Sequence, residues 1–335
     1  MNKRLLSVLP DHTHLPESIQ SACRDGVCVS FRDLVALEEK ASGFSFLPRQ
    51  PVHSVLSGRH ASRLRGRGMQ FEDIRPYLLG DDVRNMDWQV MARTRKPHVR
   101  VYSEERDRPM YCIVDQRPNQ FFGSQHCFKS VVAARAAALA IWRAFASGDR
   151  VGGCLLGCQG VQHFKPARSK KAVLSFLNAI AVASQALLQR PLLTDEHRAG
   201  LNQGLSHAAR HNAHDGLICV ISDGCGRDDI TQQSLAMMAA KNDVLWVTVF
   251  DPLEKTLPNQ GRFLAGDGVR QLSVNLNERK WRQTFEAEVQ QEQDGWAGFC
   301  KQHRIPMLTL NTVEAVEEQV RRQLGYIPRS RFRRS

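Results

Sequence analysis

Met110-Tyr111-Cys112-Ile113-Val114-Asp115 is an apolar run with no polar alternation, and it ends in a carboxylate. Leu217-Ile218-Cys219-Val220-Ile221-Ser222-Asp223 repeats the pattern, and Asp243 to Asp251 is a third run of the same kind. A strand that is apolar on both faces belongs inside a sheet covered on both sides, which is the signature of parallel pairing. The stretches between these runs have helical periodicity: Lys129 to Ala146, Lys170 to Leu188, Ala199 to Asn212, and a helix capped by Asp228 or Asp229 that runs to Ala240. Arg150 to Gly157 and Val161 to Pro166 read as two strands joined by a glycine turn. Further on come a helix from about Glu278 to His303, a short strand at Met307 to Leu310, and a helix from Thr312 to Leu324 with Thr312 as its cap. The fold expected is α/β, with a doubly wound, mostly parallel sheet and helices on both faces. Ligands in such sheets sit at the carboxyl ends of the strands, where Asp115 and Asp223 lie. Asp251 precedes Pro252 and reads as the start of a turn.

The 335 residues carry a formal net charge of +12. Six arginines and no acid fall between Arg321 and Ser335, so part of that excess belongs to the tail. Nine cysteines, an odd number scattered through apolar runs, do not form a secreted disulfide framework. With no signal peptide and no run of 18 apolar residues, the expectation is a reduced, soluble, cytoplasmic protein without a transmembrane segment.

Upstream, Ser30 to Ala41 is helical, with Ser30 as its cap and Gly43 as its stop, and Pro48 and Pro51 then break the chain. Gly66 to Trp88 is dense in special residues: Gly66, Gly68 and Gly80; Arg75 and Arg84 near Asp81, Asp82 and Asp87; and the rings Phe71, Tyr77 and Trp88. This mixture predicts a fixed polar network anchored by buried aromatics. A strand is expected at His98 to Tyr102.

Several sharper readings fail on chemistry. Gly66-Arg67-Gly68 leads into no Gly-Lys-Ser/Thr, so it is not a phosphate loop. His12, His14, Cys23 and Cys28 match no zinc module. His207 and His211 share a helix face, with His214 beyond them, but no adjacent carboxylate completes a site, and a solvated face is the expectation. The acidic run Asp223 to Asp229 lacks the oxygen ligands of a calcium loop. There is no Gly-x-Ser-x-Gly elbow, and Cys112 and Cys219 sit inside strands.

What remains is the crevice over Asp115 and Asp223. The order of strands, helices and aspartates resembles a von Willebrand factor A domain. That resemblance implies a metal-ion-dependent adhesion site with Asp-x-Ser-x-Ser in its first loop, a threonine from a second loop and an aspartate from a third. Here the first loop is Asp115-Gln116-Arg117-Pro118-Asn119, so Arg117 and Asn119 stand where the serines are expected. Thr194, 29 residues before Asp223, is a loose match for the threonine. Arg117 has no acceptor atom. At ~4 Å from a divalent ion its charge would cost roughly 8 kcal/mol at an effective dielectric of 20. Magnesium is therefore disfavoured, and no cofactor is expected. Arg117 either swings outward or fills the metal position and pairs with Asp115 or Asp223.

Gly66-x-Gly68, Phe71, Arg75-x-Tyr77, Gly80-Asp81-Asp82-x-Arg84 and Asp87-Trp88 resemble the signature of a bacterial family, the domain-of-unknown-function family numbered fifty-eight. Its members are A-domain-like proteins associated with MoxR-type AAA+ ATPases. Glu104-Glu105-Arg106-Asp107, Gly148 to Gly152, and Asp251-Pro252-Leu253-Glu254 with Leu257-Pro258 fit the same family, and the resemblance covers about residues 52 to 325. It implies a non-enzymatic adaptor that works with such an ATPase in assembling or activating a client protein the sequence does not name. Many relatives carry N-terminal membrane helices that this chain lacks, so any membrane association would be peripheral, through a partner. The alternative is a basic, nucleic-acid-associated protein using its arginine tail, but no nucleic-acid-binding motif supports it. The expected organisation is an N-terminal segment (1–51), a signature segment packed on the core (52–108), an A-like domain (109–312), and a C-terminal helix with a basic tail (313–335). The binding residues expected are Asp115, Arg117, Asn119, Thr194 and Asp223. The signature network expected is Arg75, Tyr77, Asp81, Asp82, Arg84, Asp87 and Trp88.

Overall fold

Six strands form the central sheet of the computed structural model: β3 (Met110–Asp115), β4 (Val151–Gly157), β5 (Gly160–Ala167), β6 (Leu217–Ser222), β7 (Asp243–Phe250) and β10 (Met307–Asn311). Their order is β10-β7-β6-β3-β4-β5. All neighbours are parallel except the edge pair β4–β5. The structure describes residues 16–41, 69–78, 81–104, 109–189, 194–211, 214–266 and 271–325. By contacts the chain divides into two compact units, residues 1–52 with 108–335, and residues 53–107.

Every residue of β3 and β6 is buried, as their unbroken apolar sequence requires. Successive side chains go to opposite faces. Met110, Cys112 and Val114 join one core with helices α2 (Phe31–Lys40), α4 (Lys129–Ala146), α5 (Lys170–Ala186) and α9 (Val316–Leu324). Tyr111 and Ile113 join the other with α6 (Asp195–His211), α7 (Asp229–Ala239) and α8 (Arg279–Gln302). The alternation is strict because each strand feeds both layers.

Two glycines permit close approach. A Cβ on Gly153 would lie 2.0 Å from the Cys112 carbonyl oxygen of the adjacent strand. On Gly204 it would lie 2.8 Å from Leu156 Cδ2, so this glycine lets α6 sit low on the sheet.

The N-terminal and C-terminal segments belong to the main unit. Ser30 caps α2 in a capping box with Asp33. Leu34 and Leu37 are buried, and Trp142 Nε1 donates to the Leu34 carbonyl at 2.9 Å. The last helix begins at Val316, later than the sequence suggested, because Thr312 is not its cap. The Thr312 hydroxyl instead donates to Asp251 Oδ2 at 2.6 Å. Asp251 also takes the Ser124 amide and hydroxyl and the Leu253 amide, so it ties three loops together besides starting a turn.

One further expectation is corrected. Cys23 and Cys28, expected as thiols, are disulfide-bonded; the turn after α1 (Glu17–Arg24) brings their Cα atoms to 4.5 Å, within the reach of such a bond. Lys170–Gln189 has the length and hydropathy of a membrane span, a property that sheet-covering core helices share. Here Val173, Phe176, Leu177 and Ile180 of that stretch cover the sheet.

The 53–107 unit contains an antiparallel pair, β1 (Met69–Pro76) and β2 (His98–Glu104), with a short helix α3 (Trp88–Thr94) between them. A separate hairpin, β8 (Arg262–Gly266) with β9 (Gln271–Asn275), follows β7. The arginine-rich end of the tail, with Gly43, Pro48, Pro51, Gly66, Gly68 and Gly80, lies outside the described residues.

Candidate functional site

Asp115 ends β3 and Asp223 follows the last residue of β6, its parallel neighbour, so the two carboxylates lie at adjacent strand ends. Asp115 is 0% exposed and accepts five hydrogen bonds. The Arg117 amide and Nε donate to Oδ1 at 3.1 and 2.8 Å. Arg117 Nη2, Gln120 Nε2 and Ser222 Oγ donate to Oδ2 at 2.6, 3.2 and 2.7 Å. Burial alone would raise the Asp115 pKa, but the Arg117 charge and these hydrogen bonds outweigh it and hold the carboxyl below its ordinary value.

Arg117 does not swing outward. It is 1% exposed and pairs with Asp115 through Nε and Nη2, a two-pronged contact that fits the planar guanidinium. Its remaining donors cross to other loops. Nη1 reaches the carbonyls of His197 and Arg198 at 2.8 and 3.2 Å, and Nη2 reaches the carbonyl of Cys225 at 3.0 Å. Five bonds use all five guanidinium N–H groups. One side chain thus joins the end of β3, the first turn of α6 and the β6–α7 loop. Gly200 lies beside it; a Cβ there would sit 3.4 Å from Arg117 Cδ.

Asp223 has a cation of its own. Lys129 opens α4 and is 3% exposed. Its Nζ donates to Asp223 Oδ2 at 2.8 Å and also to Glu254. Burial would lower the Lys129 pKa, but the charges of Asp223 and Glu254 outweigh it and raise it. The other donors to Asp223 are Asn119 Nδ2, at 2.9 and 3.1 Å, and the Cys225 amide at 2.8 Å. Asn119 therefore turns its NH2 group to the carboxylate, and its carbonyl oxygen is buried with no partner among the described residues. Lys129 was missed from sequence because it begins a helix 94 residues before Asp223 and belongs to no loop motif.

Thr194 is not drawn into the crevice. Its hydroxyl bonds with His197 Nδ1 at 2.8 Å on an exposed turn. The second loop contributes backbone carbonyls to Arg117 instead. The crevice therefore unites Asp115, Arg117, Asn119 and Asp223, adds Lys129 and Ser222, and leaves Thr194 at its margin.

The signature residues form small local networks. Asp81 takes both Arg75 Nη atoms, at 2.8 and 2.7 Å, and the Leu78 amide. Asp82 caps the turn Val83–Asn85. Asp87 caps α3 through the Gln89 and Val90 amides and pairs with Arg100 at 2.8 Å. Arg84 was expected in this network, but it is exposed and makes no ion pair among the described residues. Arg100 takes its place because strand pairing brings β2 back beside Asp87. Tyr77 is half-buried, whereas Trp88, expected as a buried anchor, is 63% exposed.

Known proteins resemble this chain at several levels. Uncharacterised proteins Rv1480 of Mycobacterium tuberculosis and Mb1516 of Mycobacterium bovis are each 29% identical over 231 residues, 68% of this chain and 70% of theirs. Among solved structures, a conserved hypothetical protein BatB from Bacteroides thetaiotaomicron aligns over 63% of this chain and 92% of its own, at 14% identity and TM-score 0.37. An aerotolerance-related membrane protein from Bacteroides fragilis aligns over 64% and 96%, at 15% identity and TM-score 0.38. The family model described as "Protein of unknown function DUF58" matches residues 73–295, most of the chain and both of its compact units. The chain belongs to the DUF58 family.

Proposed function

We propose that this protein is a non-enzymatic interaction adaptor, built on a von Willebrand factor A-like domain, that works with a MoxR-type AAA+ ATPase in assembling or activating a client protein. The observation that carries this reading is the double charge lock of the crevice. Asp115 is held by Arg117 and Asp223 by Lys129, so both carboxylates of an adhesion-type site already face a cation of the chain itself. A divalent ion would have to displace a guanidinium fixed by five hydrogen bonds, and would meet a second cation on Asp223. The donor set does not suit magnesium.

The same lock leaves no activated nucleophile or general base at the strand ends. Ser222 donates its hydroxyl to Asp115. Burial and the Asp223 charge push the Cys225 thiol up, away from the reactive thiolate, despite the nearby Arg117 and Arg198. The strand order, the antiparallel edge at β5 and the two aspartates at strand tips support the A-like reading.

The exposed apolar residues of the signature segment, Leu78, Val83 and Trp88, suit a partner surface better than a buried brace. A cytoplasmic location goes with this reading. The test is binding of purified protein to a MoxR-type ATPase encoded by the same genome, with ATP present. Binding that Trp88→Ala abolishes, while the melting temperature is unchanged, supports the proposal. Absence of binding overturns it.

A further inference from the structure

Away from the crevice, at the antiparallel edge of the sheet, three imidazoles converge. His163 comes from β5, and His207 and His211 come from successive turns of α6. One ring nitrogen from each lies within 4.8 Å of the others. His163 shares a face of β5 with Val161, which packs against the core under α6. The His163 ring stacks on His211 at 4.1 Å between centroids and on His207 at 5.8 Å. Two histidines four residues apart on a helix, met by a third from the adjacent strand, make a three-nitrogen donor set.

The fourth member of the cluster is Tyr111, which is 0% exposed. Its hydroxyl and His163 Nδ1 are 2.8 Å apart. That contact holds the His163 ring in place through Nδ1. An imidazole held through its second nitrogen by an oxygen is the arrangement by which proteins orient a metal-binding histidine.

We propose that His163, His207 and His211 form a binding site for a divalent transition-metal ion of zinc type, with Tyr111 as the positioning residue of His163. Three neutral nitrogens suit zinc, copper(II) or nickel and do not suit magnesium or calcium. Three protein ligands leave one position of a tetrahedral ion open for water or an incoming group. Zn–N bonds of about 2.0–2.1 Å put the nitrogens about 3.3 Å apart. The rings must therefore rotate out of their stack and close in. His207 is half-buried and His211 exposed, so they have room to do so. His207 also borders the groove of about 640 Å³ between α6 and α7, which Asn202, Arg210 and Asp228 help to line. The site is independent of the crevice: its donors belong to a different set of side chains and a different class of ion.

The test is calorimetric titration of the full chain with zinc chloride, with magnesium chloride as the contrasting ion. The expected result is one zinc per chain at micromolar or tighter affinity, with no heat from magnesium. The double substitution His207→Ala/His211→Ala should weaken zinc binding at least 100-fold while circular dichroism stays unchanged. Tyr111→Phe, which keeps the buried ring and removes only the hydroxyl, should weaken it about 10-fold, at the lower end of what losing such a partner costs. Cobalt(II) in place of zinc should give a spectrum without a thiolate charge-transfer band, which separates this site from the cysteines. No zinc binding, or binding that the double histidine variant leaves intact, would overturn the proposal.

Discussion

Arg117 with Asp115 and Arg75 with Asp81 are the same chemical pair, each in a two-pronged contact, in two different units of the chain. The first pair is 1% and 0% exposed at its side chains and the second 42% and 20%. Water screens the second pair and leaves it little to contribute. The first pair has no water to return to if one partner is lost. Its strength lies less in mutual attraction than in the cost of leaving the other charge buried alone. The ion pair of the 53–107 unit is thus the weaker structurally, and the buried pair at the end of β3 is where the fold depends on charge.

This contrast is breakable by substitution. Arg117→Ala strands Asp115 and frees three carbonyls, and should cost about 3–5 kcal/mol in urea unfolding. Arg117→Lys should not rescue it, because an ammonium cannot span both oxygens of Asp115 and reach two other loops. Lys129→Met leaves Asp223 with its neutral donors from Asn119 and Cys225. A loss of about 2–3 kcal/mol is expected, the scale of a hydrogen bond to a charged group.

Acid should sharpen the same difference. Burial works to raise the pKa of Asp115 and of Asp251, yet their partners hold both below the ordinary carboxylate value. A depressed folded-state pKa means stability that is fully present above the unfolded value, about 3.9, and is lost as pH falls through the folded value. Melting temperature should therefore be flat with respect to these groups near neutrality and fall below about pH 4. In Arg117→Ala the Asp115 part of that fall should move to higher pH, because the Arg117 charge no longer opposes burial. The smallest effect is expected for Arg84→Ala, which is exposed and unpaired among the described residues: a melting temperature indistinguishable from wild type. A large loss at Arg84 would show that the signature segment is held by contacts beyond its local networks.

The sheet was legible because Met110–Asp115 and Leu217–Ser222 are apolar without alternation, a pattern that admits few other readings. Helix ends were read to within a few residues where a cap was present, as at Ser30 and Asp228. The start of α9 was misplaced because Thr312 has the chemistry of a cap but spends its hydroxyl on Asp251, a partner 61 residues away in sequence. Pairings of that range leave no periodic trace. Lys129 and Arg100 were invisible for the same reason, and so was His163, which faces His207 and His211 only once β5 is laid beside α6. Trp88 illustrates the opposite error. Large rings usually seek the interior, and sequence gives no sign when one is left outside.

The central claim is that the crevice takes its cations from the chain, through Arg117 and Lys129. Calorimetric titration of the wild-type protein with magnesium chloride tests it most directly. No saturable heat is expected into the millimolar range. Micromolar binding of magnesium that Asp115→Ala abolishes would contradict it.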